Sequence, residues 1–212
     1  MNDTDLIQRY KPADRANHWL TAITFILLTL SGLALFHPAF FWFSHLFGGG
    51  PWTRILHPYI GVVLAVSFWF LAHRFFADNL MTAADWQWIR QLRDVITNHD
   101  ERVPEVGRFN AGQKLLFWVM IATLLLLLLS GIVMWHPWFA PWFSIGFARV
   151  AVLIHAVSAF VLIMGIIVHI YAAFWVRGTI RGMTRGVVPR AWAKHHHPGW
   201  YREVSKARND QN

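Results

Sequence analysis

The chain has 212 residues, of which 56% are apolar and only 14% are charged, against about 25% charged residues in a typical soluble domain. Its mean hydropathy of +0.37 leaves too little polar surface to cover a soluble globule, which argues against a soluble enzyme and a disordered chain. The net charge of +8 would suit nucleic acid unless the positions of the charges explain it. The sequence has no cysteine, which excludes disulfides, thiolate-bound iron–sulfur clusters and CxxCH haem attachment, whereas it has 12 histidines.

Four apolar stretches are long enough to cross a bilayer, which takes about 20 residues of helix. They cover residues 19–36, 55–76, 115–135 and 150–176. A polar loop, residues 78–110, joins the second stretch to the third, and a basic tail covers residues 178–212. We therefore predict a single all-α domain, an integral membrane four-helix bundle with a cytoplasmic amphipathic helix and a cytoplasmic tail.

The distribution of basic residues predicts the orientation of the bundle. All but two of the 19 lysine and arginine residues lie in or beside the N-terminal arm, the 78–110 loop and the tail; the exceptions are Arg54 and Arg149. Because cytoplasmic segments carry the excess of positive charge, both termini are predicted to be cytoplasmic. The net charge then reflects membrane topology and contact with lipid, and no nucleic acid partner is expected. The two short loops face outward with four tryptophans, Trp42, Trp52, Trp138 and Trp142.

The polar loop contains a helix pattern of its own. Thr82 followed by Asp85 resembles a capping box, and apolar residues then recur at helical spacing up to Asn98. We predict an amphipathic helix over Thr82–Asn98 that lies on the cytoplasmic surface. The tail segment Arg190–Val204 mixes tryptophan and tyrosine with basic residues, which predicts a segment bound to the membrane surface or to a partner.

A short pattern occurs twice. Ser31-Gly32 followed by His37-Pro38-x-Phe40 recurs as Ser130-Gly131 followed by His136-Pro137-x-Phe139. A histidine within a span follows each copy, His57 in the first and His155 in the second. The repeat predicts a two-helix hairpin that is used twice to build the bundle.

The histidines in the spans are the candidate ligands, because ionisable residues within a membrane are costly and mark functional sites. The predicted topology places His57 and His155 at the outer level and His18 and His169 at the inner level. Two pairs of imidazoles at two depths are what two bis-histidine b-type haems require. Small residues follow each of the four histidines by four positions and leave room for a flat group: Ala22, Gly61, Ala159 and Ala173.

Other roles compete for these histidines. A single span histidine is more often a packing or proton-handling residue, and a zinc site would need three or four ligands at one depth. His73, next to Arg74, is interpreted as interfacial, and His37, His45 and His136 as loop residues. The tail histidines His195, His196 and His197 are predicted to be solvated rather than to bind metal.

Several segments resemble the gamma subunit of respiratory formate dehydrogenase, a membrane-embedded b-type cytochrome. The similarity covers nearly the whole chain, and its most specific part is the tail. It is carried by Arg9-Tyr10, by Arg15-Ala16-Asn17-His18-Trp19, by Arg54-Ile55-Leu56-His57-Pro58, by the run from Gly107 to Lys114, by His169-Ile170-Tyr171-Ala172-Ala173 and by the run from Ala191 to Val204. All four haem-ligand positions of the family are filled, by His18, His57, His155 and His169.

The resemblance implies a place in an electron-transfer chain in the bacterial inner membrane. Formate would be oxidised in a separate molybdenum- or tungsten-containing subunit that faces the periplasm, and an iron–sulfur subunit would pass the electrons on. This chain, which does not itself oxidise formate, would carry them from the outer to the inner haem and then to a quinone. The family's quinone contacts map to Asn110, Gly112 and Gln113, although Asn110 is equally well explained as a helix N-cap.

Two further questions stay open at this stage. Arg54 and Arg149 either neutralise a propionate of the outer haem or are ordinary border arginines. The alternative function is the cytochrome b subunit of another quinone-linked dehydrogenase, a nickel–iron hydrogenase or a thiosulfate-type reductase. A stand-alone quinone oxidoreductase and a non-redox transporter or scaffold are the remaining alternatives.

Overall fold

The computed structural model describes residues 6–97 and 103–210. Within them, four helices are long and apolar enough to cross a membrane. They are α1 (Pro12–Phe36), α2 (Gly50–Phe75), α5 (Ala111–Met134) and α6 (Ile145–Trp175). Each begins several residues before the corresponding apolar stretch, and the prediction of an all-α membrane bundle is confirmed.

The shorter elements connect these helices. Helices α3 (Ala83–Arg90) and α4 (Leu92–Ile96) lie between α2 and α5, and the 3-10 helices are Pro38–Phe47, Ala77–Asn79 and Ala140–Trp142. After α6 come α7 (Thr179–Arg185), α8 (Arg190–His196) and α9 (Pro198–Asn209). Strand β1 (Leu6–Gln8) pairs antiparallel with β2 (Val187–Pro189), a small sheet that the all-α prediction did not include.

The chain forms two compact units. The bundle unit consists of residues Ala16–His73 and Val119–Ile170. The strand unit consists of Met1–Arg15, Arg74–Trp118 and Tyr171–Asn212, and it contains the β1–β2 pair. Each half of the bundle unit is one of the two hairpins that the repeat predicted.

The bundle unit buries many small and hydroxyl-bearing residues and turns most of its large apolar side chains outward, although Leu64, Phe68 and Leu162 are buried. Ser31 is fully buried, and Ser67 and Ser158 nearly so, whereas Phe160 is 63% exposed. Small residues let helix backbones approach closely, and the exposed apolar side chains match lipid rather than water. The serine and threonine hydroxyls donate to carbonyls of their own helices, as Thr24 Oγ1 does to Leu20 O at 2.8 Å.

A polar contact joins the first two helices of the bundle unit. Asn17 Nδ2 donates to the backbone oxygen of Ser67 at 2.9 Å, and Thr21 Oγ1 donates to Ser67 Oγ at 3.2 Å. Ser67 Oγ in turn donates to Leu64 O at 3.0 Å. Every one of these polar groups therefore has a partner within the protein, which a water-free environment requires.

The strand unit has a small core of its own. Ile7, Val188, Ala193 and Trp200 pack together, and Val188 and Ala193 are fully buried. Arg9 is also buried, and its guanidinium lies 4.3 Å from the centre of the Trp200 ring. A cation over the face of a tryptophan is a favourable contact, so the tail segment is held by a specific interaction.

The predicted amphipathic helix is divided into two. The backbone of Gln91, with φ −99° and ψ 22°, departs from helical geometry, which separates α3 from α4 beginning at Leu92. The capping box of Thr82 and Asp85 is confirmed. The predicted last residue of the amphipathic helix, Asn98, lies outside the described residues, as does the loop arginine Arg102.

Asp85 does more than cap α3. It is buried, and one carboxylate oxygen accepts a hydrogen bond from Lys114 Nζ at 2.7 Å. Burial alone would raise the pKa of Asp85, but the hydrogen bonds from Lys114 and Thr82 outweigh it and lower the pKa. The ion pair therefore ties the loop helix to the start of α5.

The prediction that the tail histidines are solvated is wrong for His197. His197 is 4% exposed, and its Nδ1 donates to the backbone oxygen of Gly107 at 2.9 Å. The amide of Gly199 donates to Val106 O at 3.0 Å, so two bonds hold the tail against the segment that precedes α5. Burial, together with the charge of Arg9, lowers the pKa of His197 to about 4. His195 is exposed, as predicted.

The low pKa of His197 makes the docking of the tail sensitive to pH. Because the folded protein disfavours the protonated imidazole, stability is retained above pH 6.5 and is lost as pH falls from 6.5 towards 4. The difference between a pKa of 6.5 in the unfolded chain and about 4 in the folded protein corresponds to about 3 kcal/mol of folding free energy. We expect His197→Gln to flatten the pH dependence of amide exchange in α8 and α9, measured by hydrogen exchange against the unaltered protein at each pH.

The matched control is His195→Gln in α8, two residues before His197, which removes an exposed imidazole and is expected to leave the pH dependence unchanged. An equal effect of both substitutions, or an unaltered pH dependence in His197→Gln, would contradict the assignment.

Candidate functional site

The bundle unit brings together the two histidines predicted to form the outer pair. His57 on α2 and His155 on α6 have ring centres 6.3 Å apart, with their planes inclined at 59°. Both are partly buried. They are called the 57/155 pair below.

The predicted inner pair is also brought together. His18 on α1 and His169 on α6 have ring centres 6.4 Å apart, with their planes inclined at 47°. They are called the 18/169 pair below. Since His155 and His169 are 14 residues apart on one helix, α6 separates the two pairs by about 21 Å along its axis.

The ring separations fit an iron ion held between two imidazoles. An imidazole nitrogen lies about 2 Å from the metal it binds, and the ring centre lies about 1 Å further away. Two rings on opposite sides of one metal ion therefore have centres about 6 Å apart. Both pairs have this separation, and neutral imidazole is an ordinary axial ligand of haem iron.

Each imidazole of the 57/155 pair is backed by a serine. Ser31 Oγ lies 2.7 Å from His57 Nδ1, and Ser130 Oγ lies 2.9 Å from His155 Nδ1. Both hydroxyls also have a backbone oxygen within hydrogen-bond distance, Leu28 O for Ser31 and Leu126 O for Ser130. When a serine donates to its carbonyl, its oxygen can accept from Nδ1–H, an arrangement that leaves Nε2 with a free lone pair for a metal.

The glycine after each serine makes room for the same ring. A Cβ on Gly32 would lie 3.3 Å from His57 Cε1, and one on Gly131 would lie 3.5 Å from His155 Cε1. The repeated Ser-Gly pattern thus has two functions, since the serine orients the imidazole and the glycine lets it approach the helix. Sequence reasoning used this pattern only as a sign of duplication and did not assign these roles.

The 18/169 pair differs in this respect. His18 Nδ1 is buried and has no hydrogen-bond partner among the described residues. The two pairs thus share their ring separation but not their surroundings.

Asn110 and Gln113 form a reciprocal cap at the start of α5. Gln113 N donates to Asn110 Oδ1 at 2.8 Å, and Asn110 N donates to Gln113 Oε1 at 2.9 Å. This is the N-cap alternative considered for Asn110. Gly112 and Gln113 are exposed in the strand unit, so the segment is also accessible to a ligand.

The remaining candidates are placed as follows. Arg54 and Arg149 are exposed, three residues before His57 on α2 and six before His155 on α6. The other histidines, His37, His45, His73 and His136, are exposed as well. Within residues 6–97 and 103–210, no group of three or more histidine or acidic side chains is arranged to hold a metal ion.

The chain is similar to known membrane cytochromes. The prokaryotic cytochrome b561 family matches residues 9–186, which include both histidine pairs. The cytochrome b556(fdo) subunit of formate dehydrogenase from Escherichia coli K12 is 47% identical over 206 residues, covering 97% of both chains.

Two further relatives are similar over comparable lengths. The nitrate-inducible formate dehydrogenase cytochrome b556(Fdn) subunit of E. coli K12 is 41% identical, over 98% of this chain and 95% of the relative. The formate dehydrogenase cytochrome b556 subunit of Haemophilus influenzae is 40% identical, over 99% of this chain and 88% of the relative. The chain therefore belongs to the prokaryotic cytochrome b561 family, among relatives that are cytochrome b556 subunits of formate dehydrogenases.

Proposed function

We infer that the chain is the di-haem b-type cytochrome subunit of a formate dehydrogenase and carries electrons across the membrane to a quinone. One observation carries the proposal, namely the two histidine pairs, each with ring centres 6.3–6.4 Å apart and each with one member on α6. A packing role or a single zinc site would not need two histidine pairs at two levels of the bundle. The near full-length similarity to formate dehydrogenase subunits favours formate over the hydrogenase and thiosulfate alternatives.

The residues of the bundle unit supply what two such haems need. Haem b, when bound between paired imidazoles, takes up and releases one electron at a time. His57 and His155 would hold the outer haem, and His18 and His169 the inner one. The rise of α6 fixes the separation of the two sites, and the outward apolar side chains keep water from the helices.

The direction of electron entry follows from the distribution of charge. Because nearly all basic residues flank the ends of the spans that carry the termini, both termini are assigned to the cytoplasm and the 57/155 pair to the periplasmic side. The two loops on that side expose four tryptophans, Trp42, Trp52, Trp138 and Trp142, between 56% and 76%. This aromatic surface supports docking of an iron–sulfur subunit, which would connect the chain to a periplasmic catalytic subunit that contains molybdenum or tungsten.

Quinone reduction is assigned to the segment Asn110–Gln113 at the start of α5. The side-chain amides of Asn110 and Gln113 have donors beyond the oxygens that form the cap, and a quinone carbonyl accepts such hydrogen bonds. Gly112, which lacks a side chain, leaves the helix start open.

The number of haems per chain provides the first test of the proposed function. We expect His57→Ala and His169→Ala each to remove one of two b haems per chain, because each deletes one axial ligand of a different pair. Haem content per chain, measured on the purified complex by pyridine haemochrome spectra, checks this. His73→Ala is the matched control and is expected to retain both haems. A protein without b haem, or equal loss in the control, would rule out the assignment.

The second prediction separates capping from quinone binding at α5. Asn110→Ser and Gln113→Glu keep an oxygen for the cap but remove the amide donor. We expect each to raise the KM for quinone about tenfold, the cost of one hydrogen bond of about 1.4 kcal/mol. Formate oxidation with an artificial dye should be unchanged. If quinone kinetics are the same as in the unaltered complex, these residues only cap the helix.

The third prediction concerns the two outward arginines. If Arg54 or Arg149 neutralises a propionate, its removal takes positive charge from the haem of the 57/155 pair and favours the ferric state. We expect Arg54→Gln or Arg149→Gln to lower the midpoint potential of that haem, measured by optical redox titration. Arg90→Gln, which removes an exposed charge from α3, is the control. Unchanged potential and haem retention in both variants would mean that these are ordinary border arginines.

A further inference from the structure

We propose that Ser31 and Ser130 are positioning residues that lower the midpoint potential of the haem held by the 57/155 pair. Each does so by fixing its histidine as the Nδ1–H tautomer and accepting that proton in a hydrogen bond. The inference rests on the proposed function, since it requires a haem at this pair. It concerns two residues that lie beside the axial ligands and do not contact the iron.

The hydrogen-bond roles follow once the histidine is taken to bind iron through Nε2. A hydroxyl has a single proton, and both serines have a carbonyl acceptor within reach, Ser31 at 3.2 Å from Leu28 O and Ser130 at 2.6 Å from Leu126 O. The serine oxygen lies 2.7 Å from Nδ1 of His57 and 2.9 Å from Nδ1 of His155. A neutral imidazole that binds iron through Nε2 carries its proton on Nδ1, so the serine oxygen accepts that proton and the hydroxyl donates to its carbonyl.

Burial makes the two contacts persistent. Ser31 is 0% exposed and Ser130 is 5% exposed, so water does not compete for either imidazole. Within a helix bundle in lipid, no water can replace this acceptor; His155 has a further backbone hydrogen bond to Leu127. The same contact is built twice, once in each hairpin, which indicates that it is a designed part of the site rather than an accident of packing.

The effect on the iron follows from the electronic structure of imidazole. When Nδ1–H donates a hydrogen bond, electron density shifts towards Nε2 and the ligand becomes more basic. A more basic ligand stabilises ferric iron more than ferrous iron, and hydrogen bonding around axial ligands is one of the means by which proteins set haem potentials. Both ligands of the same iron are affected, so the two contributions act in the same direction.

The 18/169 pair lacks this support on the side of His18, whose buried Nδ1 has no partner among the described residues. The serines therefore act on one haem of the two. With the serines in place, the haem of the 57/155 pair releases its electron more easily than it would with the two histidines alone. This favours electron transfer towards the haem of the 18/169 pair.

Redox titration of the purified, haem-loaded complex tests the proposal. Ser31→Ala and Ser130→Ala remove one acceptor each, and the double variant removes both. We expect the double variant to raise the ferrous-to-ferric ratio of one haem about tenfold at a fixed potential, which is a shift of about 59 mV for one electron. Each single variant should give part of this shift. The second haem should keep its potential, and the g values of the ferric EPR signal should change for the first haem alone.

Ser67→Ala is the matched control, because Ser67 is a buried hydroxyl of α2 that contacts Thr21 and no histidine. It should move neither potential. Ser31→Thr and Ser130→Thr are measured alongside the alanine variants. These keep the acceptor oxygen and are expected to retain both the haem and the original potential.

Three outcomes would overturn the proposal: an unchanged potential in the double variant with both haems bound, an equal shift in both haems, or a shift in the threonine variants as large as in the alanine variants. Each is read on bound haem and does not depend on formate. A complex that holds two b haems but does not couple formate to quinone would instead contradict the proposed function.

Discussion

An imidazole that binds a metal uses one ring nitrogen, and in a membrane only the protein can supply a partner for the other. The bundle interior supplies such partners at the 57/155 pair, although not at His18, whose Nδ1 has none among the described residues. Hydroxyl-bearing residues such as Ser31 and Ser130 are buried where a soluble bundle would place leucine. Most of the large apolar side chains of the bundle unit lie on the outside, where lipid accepts them without cost. The interior is therefore a set of short hydrogen bonds and close helix contacts rather than a large apolar core.

The strand unit differs from the bundle unit because it packs charged side chains against aromatic rings and backbone oxygens. Arg9 and Arg108 each donate to the other's backbone oxygen, and Arg9 lies over Trp200. Arg108 also lies 3.5 Å from Asp78, so one of the two positive charges is partly neutralised. These contacts offset part of the cost of burying the guanidinium of Arg9. Burial is still the largest influence on this group, and it lowers the pKa of Arg9.

The sequence predicted those features that depend on local pattern. The length of the apolar stretches predicted the four helices, and the predicted topology paired His57 with His155 and His18 with His169, as the ring contacts have them. The contacts that it did not predict join distant parts of the chain. His197 is buried because it meets the backbone of Gly107, 90 residues earlier, and β1 pairs with a strand near residue 188. The role of Ser31 likewise depends on α1 facing α2, which a repeated dipeptide does not reveal.

Each histidine pair has one member in each hairpin, because His18 and His57 precede the 78–110 loop and His155 and His169 follow it. A ribosome that has released only the first hairpin has therefore made two unpaired imidazoles and no complete site. Capture of a metal-containing ring between the hairpins would link the first half of the chain to the last and stabilise their association by mass action. The cofactor could then be held only after synthesis has reached α6. Its insertion would act as a checkpoint for assembly as well as supply redox chemistry.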